Sequence, residues 1–110
     1  MRIFVSYSRR DNPLSRLSEI ESHLRHVGNI YIDDLHYPPG VDRQVAVEAT
    51  LAAADIFIAV LSVSYTRTPW TRYELSEAAD RDIPLLVFTE TGAVRTTQYD
   101  ELAPLVYTIA

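Results

Sequence analysis

Residues 56–61, Ile56-Phe57-Ile58-Ala59-Val60-Leu61, are apolar at every position. A short run of this kind, with no polar face, is typical of a strand that is buried on both sides in a parallel sheet. Parallel strands need long crossover connections, which are usually helices, so this run favours an α/β fold. The rest of the chain agrees with it, because short apolar runs alternate with stretches of helical periodicity.

The remaining elements are predicted on both sides of this central strand. Further strands are expected at residues 2–7, 30–33, 85–88 and 105–109, and helices at 13–27, 43–54 and 69–80. We expect Asn12 to cap the first helix, Gly28 to end it, and Asp42 to cap the second. The buried face of the first helix is predicted to carry Leu14, Leu17, Ile20, Leu24 and Val27. The fold class is therefore α/β, a five-stranded parallel sheet with helices on both faces.

Length and composition restrict the classes of function. A chain of 110 residues with 47% hydrophobic residues predicts one globular domain spanning residues 1–110. The net charge of −5 disfavours nucleic acid as a partner. The sequence contains no cysteine, and all 10 of its basic Lys and Arg residues are arginine, which excludes disulfides, thiolate metal sites and Schiff-base chemistry. No apolar run approaches the roughly 20 residues of a membrane span, so a cytoplasmic protein without membrane partners is expected.

Polar residues follow three of the predicted strands, at 8–11, 33–40 and 62–65. The carboxyl ends of parallel strands form the ligand crevice of such folds. Glu74 opens the helix that follows the central strand, which is a suitable place for a catalytic acid. The alternative is structural, because Thr71-x-x-Glu74 also matches a capping box.

The other polar residues at these strand ends also allow two interpretations. Arg9 and Arg10 could bind the phosphates of a ligand or form an ordinary exposed turn. Asp33 and Asp34 could hold a divalent metal or a sugar hydroxyl, or could be solvated turn residues. The aromatic residues near strand ends, Tyr7, Tyr65 and Trp70, could belong to the core or stack on a ligand ring. A phosphoacceptor receiver domain would also have five strands, but it needs a lysine that this chain lacks.

Three motifs, in order, resemble the TIR (Toll/interleukin-1 receptor/resistance protein) domain family. Residues 3–11, Ile3-Phe4-Val5-Ser6-Tyr7-Ser8-Arg9-Arg10-Asp11, resemble the opening strand and loop, F-[IV]-S-[YF]-S-x-x-D. Residues 31–34 followed by Pro39-Gly40 resemble strand B and its BB loop. Residues 62–75 are similar to S-x-x-Y-x-x-S-x-W-C-x-x-E-L, with Thr68 and Thr71 in place of the second Ser and the Cys. The likeness covers nearly the whole chain and implies a flavodoxin-like sheet.

The resemblance also implies a function. Many TIR domains are NAD+ glycohydrolases or cyclases that release nicotinamide with ADP-ribose or a cyclic isomer, in immune signalling or virulence. NAD+ would be the substrate, with no further cofactor and no metal. The W-x-x-x-E glutamate of the family maps to Glu74 as the catalytic residue, and the implied substrate-binding residues are Ser8, Arg9, Arg10, Asp33, Asp34, Tyr65 and Trp70. Self-association with other TIR domains would use the BB loop, which consists of Leu35, His36, Tyr37, Pro38, Pro39 and Gly40. The alternative is a non-catalytic adaptor module that acts through the same contacts.

Overall fold

The chain forms a twisted sheet with helices on both faces. A computed structural model describes residues 1–37, 39–89 and 94–96, without the side chains of residues 66 and 94–96. The strands are β1 (Arg2–Ser6), β2 (Asn29–Ile32), β3 (Ile56–Val60), β4 (Leu85–Phe88) and β5 (Val94–Thr96). The helices are α1 (Leu14–Leu24), α2 (Asp33–His36), α3 (Arg43–Ala53) and α4 (Pro69–Asp80), with a 3₁₀ turn at Tyr65–Arg67.

The strand order is β2-β1-β3-β4-β5. Strand β1 pairs in parallel with β2 and β3, and β3 pairs in parallel with β4, so the apolar run at 56–60 is central as expected. The chain runs outward from β1 to β2 and then returns past β1 to β3. The carboxyl ends of β1 and β3 therefore flank the point where the strand order reverses, which is where ligands bind in such sheets.

Each face of the sheet has its own apolar core. On one face, Leu17, Ile20 and Leu24 of α1 pack against the strands. On the other face, α3 contributes Val47 and Leu51, and α4 contributes Leu75 and Ala78. This arrangement brings the beginnings of α3 and α4 together above the same edge of the sheet.

The predicted fold class is confirmed, with a correction to the number of parallel strands. Four strands are parallel, whereas β5 pairs with β4 in the antiparallel sense. Residues 89–93 are too few for the helical crossover that a parallel neighbour needs. The parallel strand predicted at 105–109 lies outside the described residues.

The predicted ends of α1 were wrong. The Asn12 side chain donates to the Ser8 carbonyl at 2.8 Å instead of capping the helix, whose N-cap is Pro13. The helix stops at Leu24, so Gly28 does not end it, and Leu14 and Val27 are exposed. Gly28 has another role, because a Cβ at this position would lie 2.5 Å from the Met1 carbonyl oxygen.

The predicted cap of the second helix was confirmed. Asp42 caps α3 by accepting hydrogen bonds from the backbone N–H groups of Gln44 and Val45, at 3.0 and 3.2 Å. Gly40 has φ +79°, a left-handed conformation that favours glycine. Within the described ranges, no helix has the length and apolar character that a membrane crossing requires.

Candidate active site

A cavity of about 430 Å³ opens at the carboxyl end of β1, between the starts of α3 and α4. Its size falls in the range of about 300–1,000 Å³ that is usual for small-molecule sites. Its lining residues come from three segments and are Tyr7, Ser8, Arg9, Arg10, Arg43, Thr68, Trp70 and Thr71. Four residues of the predicted site, Ser8, Arg9, Arg10 and Trp70, therefore share one cavity.

Glu74 does not line the cavity: it lies one turn further along α4 than the lining residues Trp70 and Thr71 and is 3% exposed. The Ser6 hydroxyl donates to Glu74 Oε1 at 2.9 Å, and the Tyr65 hydroxyl donates to Ser6 Oγ at 3.0 Å. Both Ser6 and Tyr65 are fully buried. Because Tyr65 supplies the proton that Ser6 accepts, the proton of Ser6 itself is directed at the carboxyl group.

Burial raises the pKa of Glu74 to about 8. The Ser6 hydroxyl lowers the pKa because its hydrogen bond stabilises the carboxylate, and Arg9 and Trp70 lower it as well. The negative charge of Asp33 raises the pKa further by repulsion. The carboxyl group is therefore mostly protonated at neutral pH. A buried group whose pKa is displaced towards physiological pH, one helical turn from a cavity, is a candidate for chemistry.

The capping-box interpretation of Glu74 was wrong. The N-cap of α4 is Thr68, whose hydroxyl accepts from the Thr71 N–H at 3.3 Å, with Pro69 as the first helical residue. Glu74 consequently lies in the second turn, where it has no free backbone N–H to cap, and its side chain points to Ser6 in the sheet. Burying a carboxyl group in this way does not stabilise a helix end.

Asp33 links the cavity rim to the sheet. It is 2% exposed, accepts from the Tyr31 hydroxyl at 2.9 Å, and forms ion pairs with Arg9 at 3.0 Å and with Arg43. Arg9 also pairs with Asp34 at 2.7 Å. Both carboxylates are thus matched by guanidinium groups, which favours a structural and electrostatic role over metal binding. No group of three or more His, Cys, Asp or Glu side chains in the described part of the chain could hold a metal ion.

Tyr65 does not line the cavity. It is completely buried, its hydroxyl donates to Ser6 Oγ, and its carbonyl accepts from the hydroxyl of the cavity-lining Thr71 at 2.5 Å. The prediction that it contacts substrate therefore does not fit its position.

The predicted BB loop divides into two parts. Leu35 and His36 belong to α2, where Leu35 packs against the core of the α1 face. His36 accepts from the Ile32 N–H at 2.8 Å through Nδ1 and lies 2.5 Å from Glu21 Oε2 through Nε2. Tyr37, Pro39 and Gly40 are exposed, and Pro38 lies outside the described residues. The surface available to a partner is therefore the second half of the loop.

Sequence reasoning missed two residues of the site. Ser6 was predicted only as part of a strand, yet it donates a hydrogen bond to Glu74. Arg43 was predicted only as the start of a helix, yet it stacks on the Trp70 ring at 5.5 Å and pairs with Asp33. A signal for Ser6 existed, because a polar residue at the end of a buried strand needs a partner. Arg43 carries no such signal, since its contacts join segments that are distant in sequence.

The strand order β2-β1-β3-β4-β5, with four parallel strands and helices on both faces, is that of the flavodoxin-like class of domains. Within this class, the family model described as TIR domain matches residues 3–107. The chain therefore belongs to the TIR domain family. A search of curated proteins gave no match.

We predict that Glu74→Gln becomes more stable relative to the parent as pH rises. The folded parent keeps the proton up to about pH 8, whereas the unfolded chain loses it near 4.5. Between pH 4.5 and about 8, the unfolded state therefore binds fewer protons than the folded state. Over this range the free energy of unfolding of the parent falls by on the order of 1 kcal/mol per pH unit. Melting temperatures at pH 5.5, 7 and 8.5 measure this difference.

The control is Glu77→Gln on the same helix, which is half-buried beside Arg81. Its melting temperature relative to the parent is expected to change little with pH. A Glu74→Gln difference that stays constant across the three pH values would contradict the raised pKa.

Proposed function

We propose that this TIR domain cleaves the nicotinamide–ribose bond of NAD+. The bond between ribose C1′ and the nicotinamide ring nitrogen breaks, and its electron pair leaves with neutral nicotinamide. Water, or a nucleophile of the same molecule, then attacks C1′ and loses a proton, which gives ADP-ribose or a cyclic isomer. Neutral nicotinamide is a good leaving group, so no strong general acid is needed.

The observation that carries the proposal is the buried Glu74 carboxyl group, one helical turn from the cavity-lining residues Trp70 and Thr71. Cleavage develops positive charge on the ribose, as in glycoside hydrolysis, and a nearby carboxylate in a water-poor position stabilises that charge. The fixed Tyr65–Ser6–Glu74 hydrogen bonds orient the carboxyl group in advance. A cationic ring and a developing oxocarbenium ion also favour the ionised form of Glu74.

The cavity supports the choice of substrate. Trp70 and three arginines, Arg9, Arg10 and Arg43, line the same space, with the Arg43 guanidinium lying over the Trp70 ring. Arginine guanidinium groups recognise phosphates in a forked geometry. A dinucleotide with two bases and a diphosphate matches these groups better than a neutral metabolite does.

A second candidate function, a non-catalytic adaptor, is favoured by an exposed apolar patch. Tyr37, Val41 and Val45 are 37%, 38% and 57% exposed beside Gly40. An apolar group of this kind at a loop and helix start is suited to contact with another protein. The two functions are compatible, because assembly through this surface could also complete the cavity.

Replacement of the catalytic group tests the enzyme proposal. Glu74→Gln keeps the volume and the acceptor for Ser6 but cannot become charged, so NAD+ turnover should fall by about a hundredfold or more. Nicotinamide release, measured by chromatography on concentrated protein, gives the rate. Glu77→Gln should retain the parent rate. Nicotinamide release by Glu74→Gln at near the parent rate would show that the assignment is wrong.

The pH profile of the same reaction tests the role of the charge. Because the carboxylate is the active form, kcat/KM of the parent should rise with pH and level off above about 8. A profile that falls over this range would indicate a general acid instead. Parent protein that releases no nicotinamide at any pH would leave the adaptor function as the better account.

Self-association is tested at Gly40. Gly40→Val forces a branched side chain into φ +79°, at a cost of about 1 kcal/mol or more, and should distort the exposed half of the BB loop. We expect loss of oligomers in sedimentation and loss of NAD+ cleavage together, with circular dichroism unchanged. His26→Val, at an exposed position outside the loop, is the control. A Gly40→Val protein that is inactive but assembles like the parent would place the interface elsewhere.

A further inference from the structure

His36 joins three elements of the fold. From α2, its Nδ1 accepts from the backbone N–H of Ile32 at the end of β2, at 2.8 Å, and its Nε2 lies 2.5 Å from Glu21 Oε2 on α1. A ring nitrogen that accepts a hydrogen bond carries no proton, so the proton of neutral His36 is on Nε2 and is donated to Glu21. The two contacts therefore define the tautomer of His36.

The N–H of Ile32 depends on this hydrogen bond. Strand β2 is at the edge of the sheet, and the Asn29 N–H donates to the carbonyl of Met1, next to β1, at 2.8 Å. Alternate residues of a parallel strand bond the neighbouring strand, so the N–H of Ile32, three residues further on, points away from β1. Ile32 is 0% exposed, and a buried N–H without an acceptor is costly. His36 supplies the acceptor that this N–H needs.

Protonation of His36 is incompatible with this hydrogen bond. The neutral ring can take a second proton only on Nδ1, the atom that faces the Ile32 N–H. The resulting imidazolium has two donors and no acceptor, so no rotation of the ring restores the bond. The contact with Glu21 survives, because the charged ring still donates to the carboxylate. The His36 side chain is 30% exposed, so protons reach it from solvent.

The charged and titratable groups around His36 act on it in both directions. Glu21 favours the imidazolium, and Arg25, which pairs with Glu21 at 3.2 Å, weakens that effect. The Tyr31 ring of β2 has its centroid 6.2 Å from that of His36, and the carboxylates on the same helix belong to Asp33 and Asp34. The carboxylates thus favour the charged ring, whereas the Ile32 N–H favours the neutral one.

Helix α2 carries the carboxylates that fix two arginines of the cavity. Asp33 pairs with Arg9 at 3.0 Å and with Arg43, and Asp34 pairs with Arg9 at 2.7 Å. The helix has only four residues, and the Asp34 N–H donates to the Tyr7 hydroxyl at 2.8 Å. With so few contacts to the rest of the fold, the loss of one hydrogen bond to β2 removes a large share of what holds α2 in place.

We propose that His36 is a pH-dependent link between the edge of the sheet and the cavity. When the ring takes a second proton, its hydrogen bond to Ile32 breaks, α2 loosens, and Arg43 loses its fixed position over Trp70. Mild acid therefore changes the shape of the cavity. The inference goes beyond the proposed reaction, because it concerns the protein without substrate and is tested without NAD+.

The first test is a ¹⁵N NMR titration of the full chain from pH 8 to pH 5, the range in which histidine side chains usually change charge. At pH 8 the His36 ring should carry its proton on Nε2. As the ring takes the second proton, the Ile32 amide signal should shift with the same midpoint. Hydrogen exchange of this amide, corrected for its intrinsic pH dependence, should become at least tenfold faster.

Three results of this titration would overturn the proposal without the use of any variant. The ring could carry its proton on Nδ1 at pH 8, it could stay neutral down to pH 5, or the Ile32 amide could fail to follow its titration.

The second test uses the fluorescence of Trp70, the single tryptophan of the chain, whose ring lies under the Arg43 guanidinium. The emission of the parent should change between pH 7 and pH 5. His36→Asn should remove at least half of this change, because an amide oxygen close to the place of Nδ1 accepts from the Ile32 N–H and does not titrate. His26→Asn, at an exposed position, should respond like the parent.

The pH range and the paired variants separate His36 from two acids of the site. Burial raises the pKa of Glu74 to about 8, so this group is mostly protonated throughout the range. Burial also raises the pKa of Asp33, the partner of Arg43, but Asp33 is present in both the parent and His36→Asn. Equal changes of Trp70 emission in these two proteins would show that the response to acid does not pass through His36.

Discussion

The hydrogen bond from Ser6 to Glu74 joins the carboxyl end of a central strand to the second turn of α4, and it does so where the side chains are excluded from water. Burying a carboxyl group is costly, so the surroundings have to hold it neutral or supply donors. Here burial keeps the proton on Glu74 up to about pH 8. The Ser6 hydroxyl, which accepts from Tyr65, donates to Glu74 and so stabilises the carboxylate when it forms. The charge of Arg9 lowers the pKa of Glu74, and the charge of Asp33 raises it. Glu74 is therefore a buried but ionisable acid one helical turn from the cavity-lining residues of α4.

Much of the fold follows from local sequence signals. The central strand was predictable because a short, unbroken apolar run is typical of a strand covered on both faces. The starts of α3 and α4 were predictable because Asp42 and Pro69 act within one turn of their own position. The ends of α1 were not predictable in this way. Asn12 bonds the Ser8 carbonyl, and Gly28 makes room for the backbone of Met1, so in both cases a tertiary contact overrides a capping preference.

The candidate site was predictable in its location but not in its connections. The sheet topology directs the loops after β1 and β3 to one edge, so Arg9 and Trp70 could be expected to meet. The local pattern around Glu74 suggested a helix cap as readily as a catalytic acid, because spacing does not report which way a side chain points. Only the packing of α4 on the sheet turns it towards Ser6. Arg43 could not be found at all from sequence, since its three-way contact with Asp33 and Trp70 depends on the docking of separate segments.

The central claim is that the fold buries Glu74 as a neutral acid that ionises close to physiological pH. A ¹³C NMR titration of the side-chain carboxyl carbons, with the Glu74 signal assigned by its absence from Glu74→Gln, tests this directly and without substrate. The account predicts a titration midpoint near pH 8 for this one signal. A midpoint near the ordinary value of 4.5 would contradict it, because the carboxylate would then be charged and solvated at neutral pH.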